Sequence, residues 1–196
     1  MTQLKIVPYP HPALRWKSRD LTKIDDQLAD WVRQMFALMY EANGIGLAAN
    51  QVALPYRLFV VNPTGDPEEK EAEQVFINPQ ITRRNGSAED KEGCLSLPEI
   101  FGPVTRAERI VVEAFDLTGE AFSYDLSGLP ARVVQHEYDH LEGIMFTDRV
   151  NESVRRELQP QVDDLIRQMA QQQTEGLWPA EQQMLADLQQ LQDERT

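Results

Sequence analysis

The stretch "QHEYDHLEG" (residues 135–143) contains two of the three histidines of the chain, four residues apart. On a helix, positions i and i+4 share a face, so His136 and His140 can point at one atom. Glu137 follows the first histidine directly and can reach a water molecule on that atom. Two surface histidines could share this spacing, but their apolar neighbours indicate a buried helix, where a histidine pair needs partners. The motif therefore predicts a metal site.

The residues before the motif predict that it lies on a helix. Ser127 or Gly128 can cap the first turn, Pro130 suits that turn, and Gly143 can end the helix. Strand-like runs precede it at 56–63 and 75–81, and two more flank a hairpin signal at Thr118. We therefore expect an α+β fold, with antiparallel strands around a central helix that bears the HExxH motif.

Another amphipathic helix is predicted at residues 25–43, and the chain ends in a helical extension. In the earlier helix the apolar stripe consists of Leu28, Trp31, Val32, Met35, Phe36 and Met39. From Asn151 the composition becomes glutamine-rich and acidic, with two helices predicted around a break at residues 176–179. We expect a catalytic domain at residues 1–150 and a helical extension at 151–196, with only weakly apolar faces after the break.

The bulk composition narrows the class of protein. A net charge of -13 argues against a DNA-binding protein and against docking on an anionic membrane. The single cysteine, Cys94, cannot form an intramolecular disulfide, and no apolar run is long enough for a signal peptide or a membrane span. A soluble cytoplasmic protein of 196 residues is the expectation.

A catalytic metal site needs a third protein ligand and one open position. No histidine follows His140, and Glu152 and Glu157 fall in a polar stretch that is predicted to be exposed. Upstream, Cys94 lies in "KEGCLSLP", at the edge of a short strand-like segment. His11 could also bind, but it would give a closed, structural site. The residues alone leave these alternatives open.

Three motifs together resemble the signature of the peptide deformylases. They are "GIGLAANQ" (44–51), "EGCLSLP" (92–98) and "QHEYDHLEG" (135–143), and the similarity covers about residues 4–150. The resemblance implies a hydrolase that removes the N-formyl group from the N-terminal formyl-methionine of newly made polypeptides. It implies that metal-bound water attacks the formyl carbon, with Glu137 as general base and acid.

The resemblance also implies the residues of the site. Cys94, His136 and His140 would hold one divalent metal ion, natively Fe²⁺, with Zn²⁺, Ni²⁺ or Co²⁺ able to replace it. Gln51 and the backbone N–H of Leu95 would hold the formyl oxygen. The substrate backbone would pair like an added strand with Gly44, Ile45, Gly46 and Gly93. Leu129 and Val133 precede His136 by two turns and one turn of the helix, which suits either the methionine pocket or the ordinary core.

The resemblance also suggests roles for three charged residues near these motifs, and one position departs from the family. The resemblance suggests that Arg106 pairs with Asp139, while Glu92 either positions Cys94 or lines the methionine pocket. Phe101 stands near a place where many relatives carry a basic residue, which affects substrate preference rather than chemistry.

The expected partners are N-formyl-methionyl nascent peptides. Two further partners fit the sequence: the ribosome, in a transient contact, and a second copy of the chain, bound through the C-terminal helices. The acidic tail, however, lacks a basic face for ribosomal RNA. Two alternative functions remain at this point. One is a zinc endopeptidase that uses the HExxH motif, and the other is a non-enzymatic zinc-binding module that His11 closes.

Overall fold

A computed structural model describes residues 3–196 and shows an α+β fold, as predicted. Within these residues, no helix has both the length and the apolar character needed to cross a membrane. The helices and strands, in chain order, are α1 (Asp26–Glu41), β1 (Gly46–Ala48), β2 (Leu58–Val61), β3 (Gln74–Asn85), β4 (Ala88–Cys94), β5 (Leu97–Arg106), β6 (Arg109–Phe115), β7 (Ala121–Ser127), α2 (Gly128–Leu141), α3 (Glu152–Thr174) and α4 (Glu181–Arg195).

The strands form two antiparallel sheets. The larger sheet has the order β1-β2-β3-β6-β7, so the short strand β1 lies at its edge. The smaller sheet is the β4–β5 hairpin, and Cys94 is the last residue of β4. The candidate cysteine and the two histidines therefore come from separate elements, which must be held together by side-chain contacts.

Helix α1 follows its sequence pattern closely. The Asp25 side chain caps it by accepting a hydrogen bond from the Leu28 N–H, and all six residues of the predicted apolar stripe are buried. They pack with residues of β1 and β2, such as Leu47 and Leu58. This packing fixes the end of α1, from which residues 44–46 lead into the edge strand β1.

Helix α2 is the central helix that the motif predicts. Ser127 is its N-cap residue, Pro130 falls in its first turn, and Gly143 follows its end with φ +71°. Its apolar residues, including Val134, pack with Phe59 and other residues of the larger sheet. The two histidines project from another side of α2, which faces the hairpin.

The hairpin was only partly predicted. The sequence indicated a short strand at "LSLP", whereas β5 has ten residues and pairs along its length with β4. Strand β4 consists of residues 88–94, of which four are charged and the first four are exposed. Because neither face of β4 shows an apolar row, the alternation that normally reveals a strand is absent.

The C-terminal extension forms the two predicted helices, and both pack on the rest of the chain. In α3, Leu158 is buried in a cluster with Ile100 and Val104 of β5. In α4, Met184, Leu188 and Arg195 are buried, so even the weakly apolar face predicted after the break makes a contact within the chain. These three residues share one face, while Leu185 and most of the glutamines are exposed; Gln192 is half-buried and accepts from Trp16 Nε1 at 3.0 Å.

Candidate metal centre

Three donor groups converge between the hairpin and α2. The ligand atoms of Cys94, His136 and His140 all lie within 4.8 Å of one another. The Cys94 Sγ is 3.3 Å from His140 Nε2. The two histidines meet because they are one helical turn apart, and the cysteine joins them because β4 ends beside that turn.

The charges around this cluster favour a cation. Burial opposes the charged form of His136, but hydrogen bonds with Cys94 and Glu92 outweigh it and raise the pKa of His136 to about 10. Burial lowers the pKa of His140 well below its usual value, which keeps this ring neutral as a ligand must be. A divalent ion would supply the positive charge that the cluster attracts, and one thiolate with two imidazoles is a donor set suited to zinc or iron. The residues therefore fit a metal.

Glu92 controls the orientation of His136. Its Oε2 lies 2.9 Å from His136 Nδ1, and since a carboxylate accepts, Nδ1 carries the proton and Nε2 is left for a metal. Burial works against its charge, but hydrogen bonds from His136 and Arg106 lower the pKa of Glu92 to about 2. Glu92 therefore stays ionised and serves as a fixed acceptor rather than as a base.

Glu137 lies beside the donor cluster with one free oxygen. Among the described residues, its buried Oε2 has no hydrogen-bond partner. Burial raises the pKa of Glu137 to about 7, which suits a group that takes and returns a proton near neutral pH. Gly46 makes room for it, because a Cβ on that residue would lie 2.4 Å from Glu137 Oε1.

Gln51 points its amide group at the same place. It lies in a short 3₁₀ helix, Ala49–Val52, and its Oε1 accepts from the Ala48 N–H at 2.9 Å. This bond turns Nε2 towards Cys94, whose Sγ is 3.4 Å away. Leu95 follows Cys94 in the turn between β4 and β5.

A cleft of about 670 Å³ opens in front of the donor cluster. Leu129 and Phe101 are 49% and 48% exposed, and both line it. Because β1 is a sheet edge, the backbone of an extended peptide has unpaired groups to meet there. All the residues predicted to contact the substrate line this cleft: Gly44, Ile45, Gly46, Gly93, Leu129 and Val133. Gln51 and Leu95, predicted to bind the formyl oxygen, and Glu137, predicted to transfer the proton, line it as well.

The other candidate ligands lie elsewhere. His11 is buried in the N-terminal segment, where its Nδ1 accepts from the Ala13 N–H and its ring packs on Trp178. Glu152 and Glu157 are exposed on α3. These positions separate them from the donor cluster and leave Cys94 as the third ligand that the geometry supports.

Sequence reasoning found part of the charge network behind the cluster. Arg106 Nη1 lies 2.8 Å from Asp139 Oδ2, which is the pair that the resemblance suggested. Sequence reasoning missed two further arginines. Arg149 Nη2 lies 2.6 Å from Asp139 Oδ1, and Arg132 Nη1 lies 2.6 Å from Glu92 Oε1. The only signal for Arg132 was its place one turn before His136, on the same helix face.

Comparisons with known proteins agree with this arrangement. The sequence model described as "Polypeptide deformylase" matches residues 3–156. A peptide deformylase of Rhodopirellula baltica is 47% identical over 161 residues, which cover 82% of this chain and 80% of that protein. The chloroplastic/mitochondrial peptide deformylase 1B of Arabidopsis thaliana is 47% identical over 81% of this chain, and the match spans 59% of the plant protein.

Solved structures show the same similarity. A plant peptide deformylase of the 1B type superposes with a TM-score of 0.84 and 43% identity, covering 88% of this chain and 94% of that one. A Plasmodium falciparum peptide deformylase gives a TM-score of 0.81 and 39% identity, covering 84% and 96%. By its family match, its sequence relatives and its structural neighbours, the chain belongs to the polypeptide deformylase family.

Proposed function

We propose that Cys94, His136 and His140 hold the divalent metal with which this hydrolase removes the N-formyl group from nascent polypeptides. The single observation that carries this assignment is the convergence of the three donor atoms within 4.8 Å of one another. The unpartnered carboxylate oxygen of Glu137 beside them supports it.

A divalent metal held there would polarise the formyl carbonyl and make a water molecule more acidic. Glu137 would take a proton from that water while the water oxygen bonds to the formyl carbon. The same carboxyl group would then give the proton to the methionine nitrogen as the carbon–nitrogen bond breaks, which releases formate. Its pKa of about 7 allows both transfers near neutral pH.

Gln51 and Leu95 would stabilise the charge that develops on the formyl oxygen. The amide Nε2 of Gln51 already faces the cluster, 3.4 Å from Cys94 Sγ, and the Leu95 N–H lies in the adjoining turn. Losing one donor of this kind costs about 10²–10³ in rate in comparable sites.

The substrate backbone would add as an extended strand at residues 44–46 and at Gly93, between the edge strand β1 and the hairpin. The methionine side chain would then face Val133 and Leu129, which line the same cleft. This pose places the formyl group next to Glu137.

We propose Fe²⁺ as the native metal, replaceable by Zn²⁺, Ni²⁺ or Co²⁺. The electron-donating Cys94 thiolate suits ferrous iron but binds the other three as well. An oxidisable metal and a thiolate together would make the enzyme sensitive to oxygen.

We further propose that residues 1–150 form the catalytic unit, that the protein works in the cytoplasm, and that the 151–196 extension supports that unit. Met184 and Leu188 of α4 are buried by contacts within the chain. Leu177 and Leu185 stay exposed and offer a small surface for a second subunit or a transient contact with the ribosome.

The test is formate release from a formyl-methionyl tripeptide by stripped protein, reloaded anaerobically with each metal in turn. An unblocked protein serves as the matched substrate, since an HExxH endopeptidase would cleave it and a deformylase would not. We expect formate from the formylated peptide and no cleavage of the unblocked protein. Cleavage without formate release would overturn the proposal in favour of the endopeptidase.

A further inference from the structure

Arg132 joins the helix that carries the histidines to the hairpin that carries the cysteine. It lies on α2 one turn before His136, and its side chain is only 11% exposed. Its Nη1 donates to Val104 O of β5 at 2.9 Å, and its Nη2 donates to Ala88 O of β4 at 2.7 Å. A third bond, from Nη1 at 2.6 Å, goes to Glu92 Oε1.

Glu92 accepts four hydrogen bonds, which is about the capacity of a carboxylate. Arg106 donates to Oε1 from Nε at 2.6 Å and to Oε2 from Nη2 at 2.8 Å. Arg132 supplies the third bond, and His136 Nδ1 supplies the fourth at 2.9 Å. With every lone-pair direction used, the carboxylate has one orientation in which all four partners are satisfied.

The two arginines act from different sides of His136. Arg106 belongs to the same hairpin as Glu92 and reaches α2 at Asp139, after the histidine. Arg132 reaches Glu92 from α2 itself, before the histidine. Arg106 therefore ties Glu92 to α2 only after the histidine, whereas Arg132 ties it to the helix turn directly before His136.

We propose that Arg132 is a positioning residue of the metal centre, which acts through Glu92 to hold His136 in its ligating orientation. The proposal rests on the metal site proposed above. Residues that orient a metal-bound histidine typically contribute about 10- to 100-fold in metal affinity. Arg132→Met removes the link to Glu92 together with the bonds to Val104 O and Ala88 O, so we expect a loss of metal affinity in that range.

The experiment measures the Zn²⁺ affinity of the full chain by competition with a chelator, together with the absorption of the Co²⁺-loaded protein. Co²⁺ absorption reports the geometry of the thiolate and imidazole ligands rather than stability. The variants are Arg132→Met and Arg132→Lys, with Arg109→Met as the matched control. Arg109 makes a two-bond ion pair with Asp125 on the exposed β6–β7 ladder and has no contact with the cleft.

We expect weaker Zn²⁺ binding and an altered Co²⁺ spectrum in Arg132→Met, a smaller loss in Arg132→Lys, and no change in Arg109→Met. If Arg132→Met does not fold by circular dichroism, Arg132→Lys keeps the charge and provides the test. Unchanged affinity and spectrum in a folded Arg132 variant would refute the proposal. A wild-type protein that binds no Zn²⁺ or Co²⁺ would instead refute the metal site itself.

A double-mutant cycle tests whether the effect passes through Glu92. Arg132→Met should cost little further affinity in a Glu92→Gln background, because the carboxylate through which it acts is already lost. Additive losses of affinity would show that Arg132 acts independently of Glu92, against the proposal.

Discussion

Replacing Gly46 with alanine places a methyl group against the carboxylate that we assign to proton transfer. The added Cβ would lie 2.4 Å from Glu137 Oε1 and 2.9 Å from Val133 Cγ1. The obstructing atoms belong to α2, which is packed against the larger sheet. The methyl group can be accommodated only if both Glu137 and Val133 move or if β1 moves.

An ordinary contact would require Glu137 Oε1 to retreat by about 1 Å. A displacement of that size at a reacting group typically costs about 10² in rate. Overpacking of a dense interior adds a loss of about 1–3 kcal/mol in the free energy of unfolding. We therefore expect a folded, metal-loaded Gly46→Ala protein whose kcat is reduced about 100-fold.

The assay is steady-state formate release, with metal content measured on the same samples. Gly93→Ala is the matched comparison, since its Cβ would meet Phe101 Cε1 at 2.5 Å, and that ring is 48% exposed and can swing aside. Gly93→Ala should raise KM more than it lowers kcat. A normal kcat for metal-loaded Gly46→Ala would refute the assignment of Glu137 and the argument from its crowding.

Three further predictions follow from other parts of the chain. Gln51→Ala should lower kcat more than it raises KM, because its amide acts on the developing oxyanion; an effect on KM alone would make it a ground-state binder. Truncation after Thr174 should lower the thermal midpoint, because buried Met184 and Leu188 are lost, yet leave kcat/KM nearly intact, and loss of turnover in a folded truncated protein would place the tail in the active site. Burial, with a smaller contribution from Lys5, lowers the pKa of His11 from 6.5 to about 4, so between these values the unfolded chain binds a proton that the folded chain does not. Stability should therefore fall as the pH drops from 6.5 to 4, by up to roughly 3 kcal/mol, and His11→Gln should lack this loss; a difference between variant and wild type that is constant across that range would contradict it.

The sequence predicted the elements whose apolar residues recur at a regular spacing. The six-residue stripe of α1 is buried as expected, and β6 and β7 flank the turn at Thr118. The HExxH spacing placed His136 and His140 on one face because helical geometry alone fixes that relation. Local periodicity was sufficient in these cases, since each element interacts with the core through one face.

Local patterns could not reveal the elements whose polar residues are satisfied by distant partners. Strand β4 has no apolar face, and Glu92 within it is buried only because Arg106 and Arg132 come from elsewhere in the chain to bind it. Helix α4 looked weakly apolar, but Arg195 reaches Asp25 at 2.6 Å across the fold. Such contacts depend on the tertiary arrangement, which spacing along the chain does not encode.

The central claim is that a metal on Cys94, His136 and His140 works with Glu137 as the proton-transfer group. The most direct test measures metal content and formate release together for wild-type and Glu137→Gln protein, prepared without oxygen. We predict about one divalent metal per chain in both proteins and loss of most turnover in the variant, because an amide cannot accept the proton of the attacking water. Near-normal formate release by a fully metal-loaded Glu137→Gln protein would contradict the account.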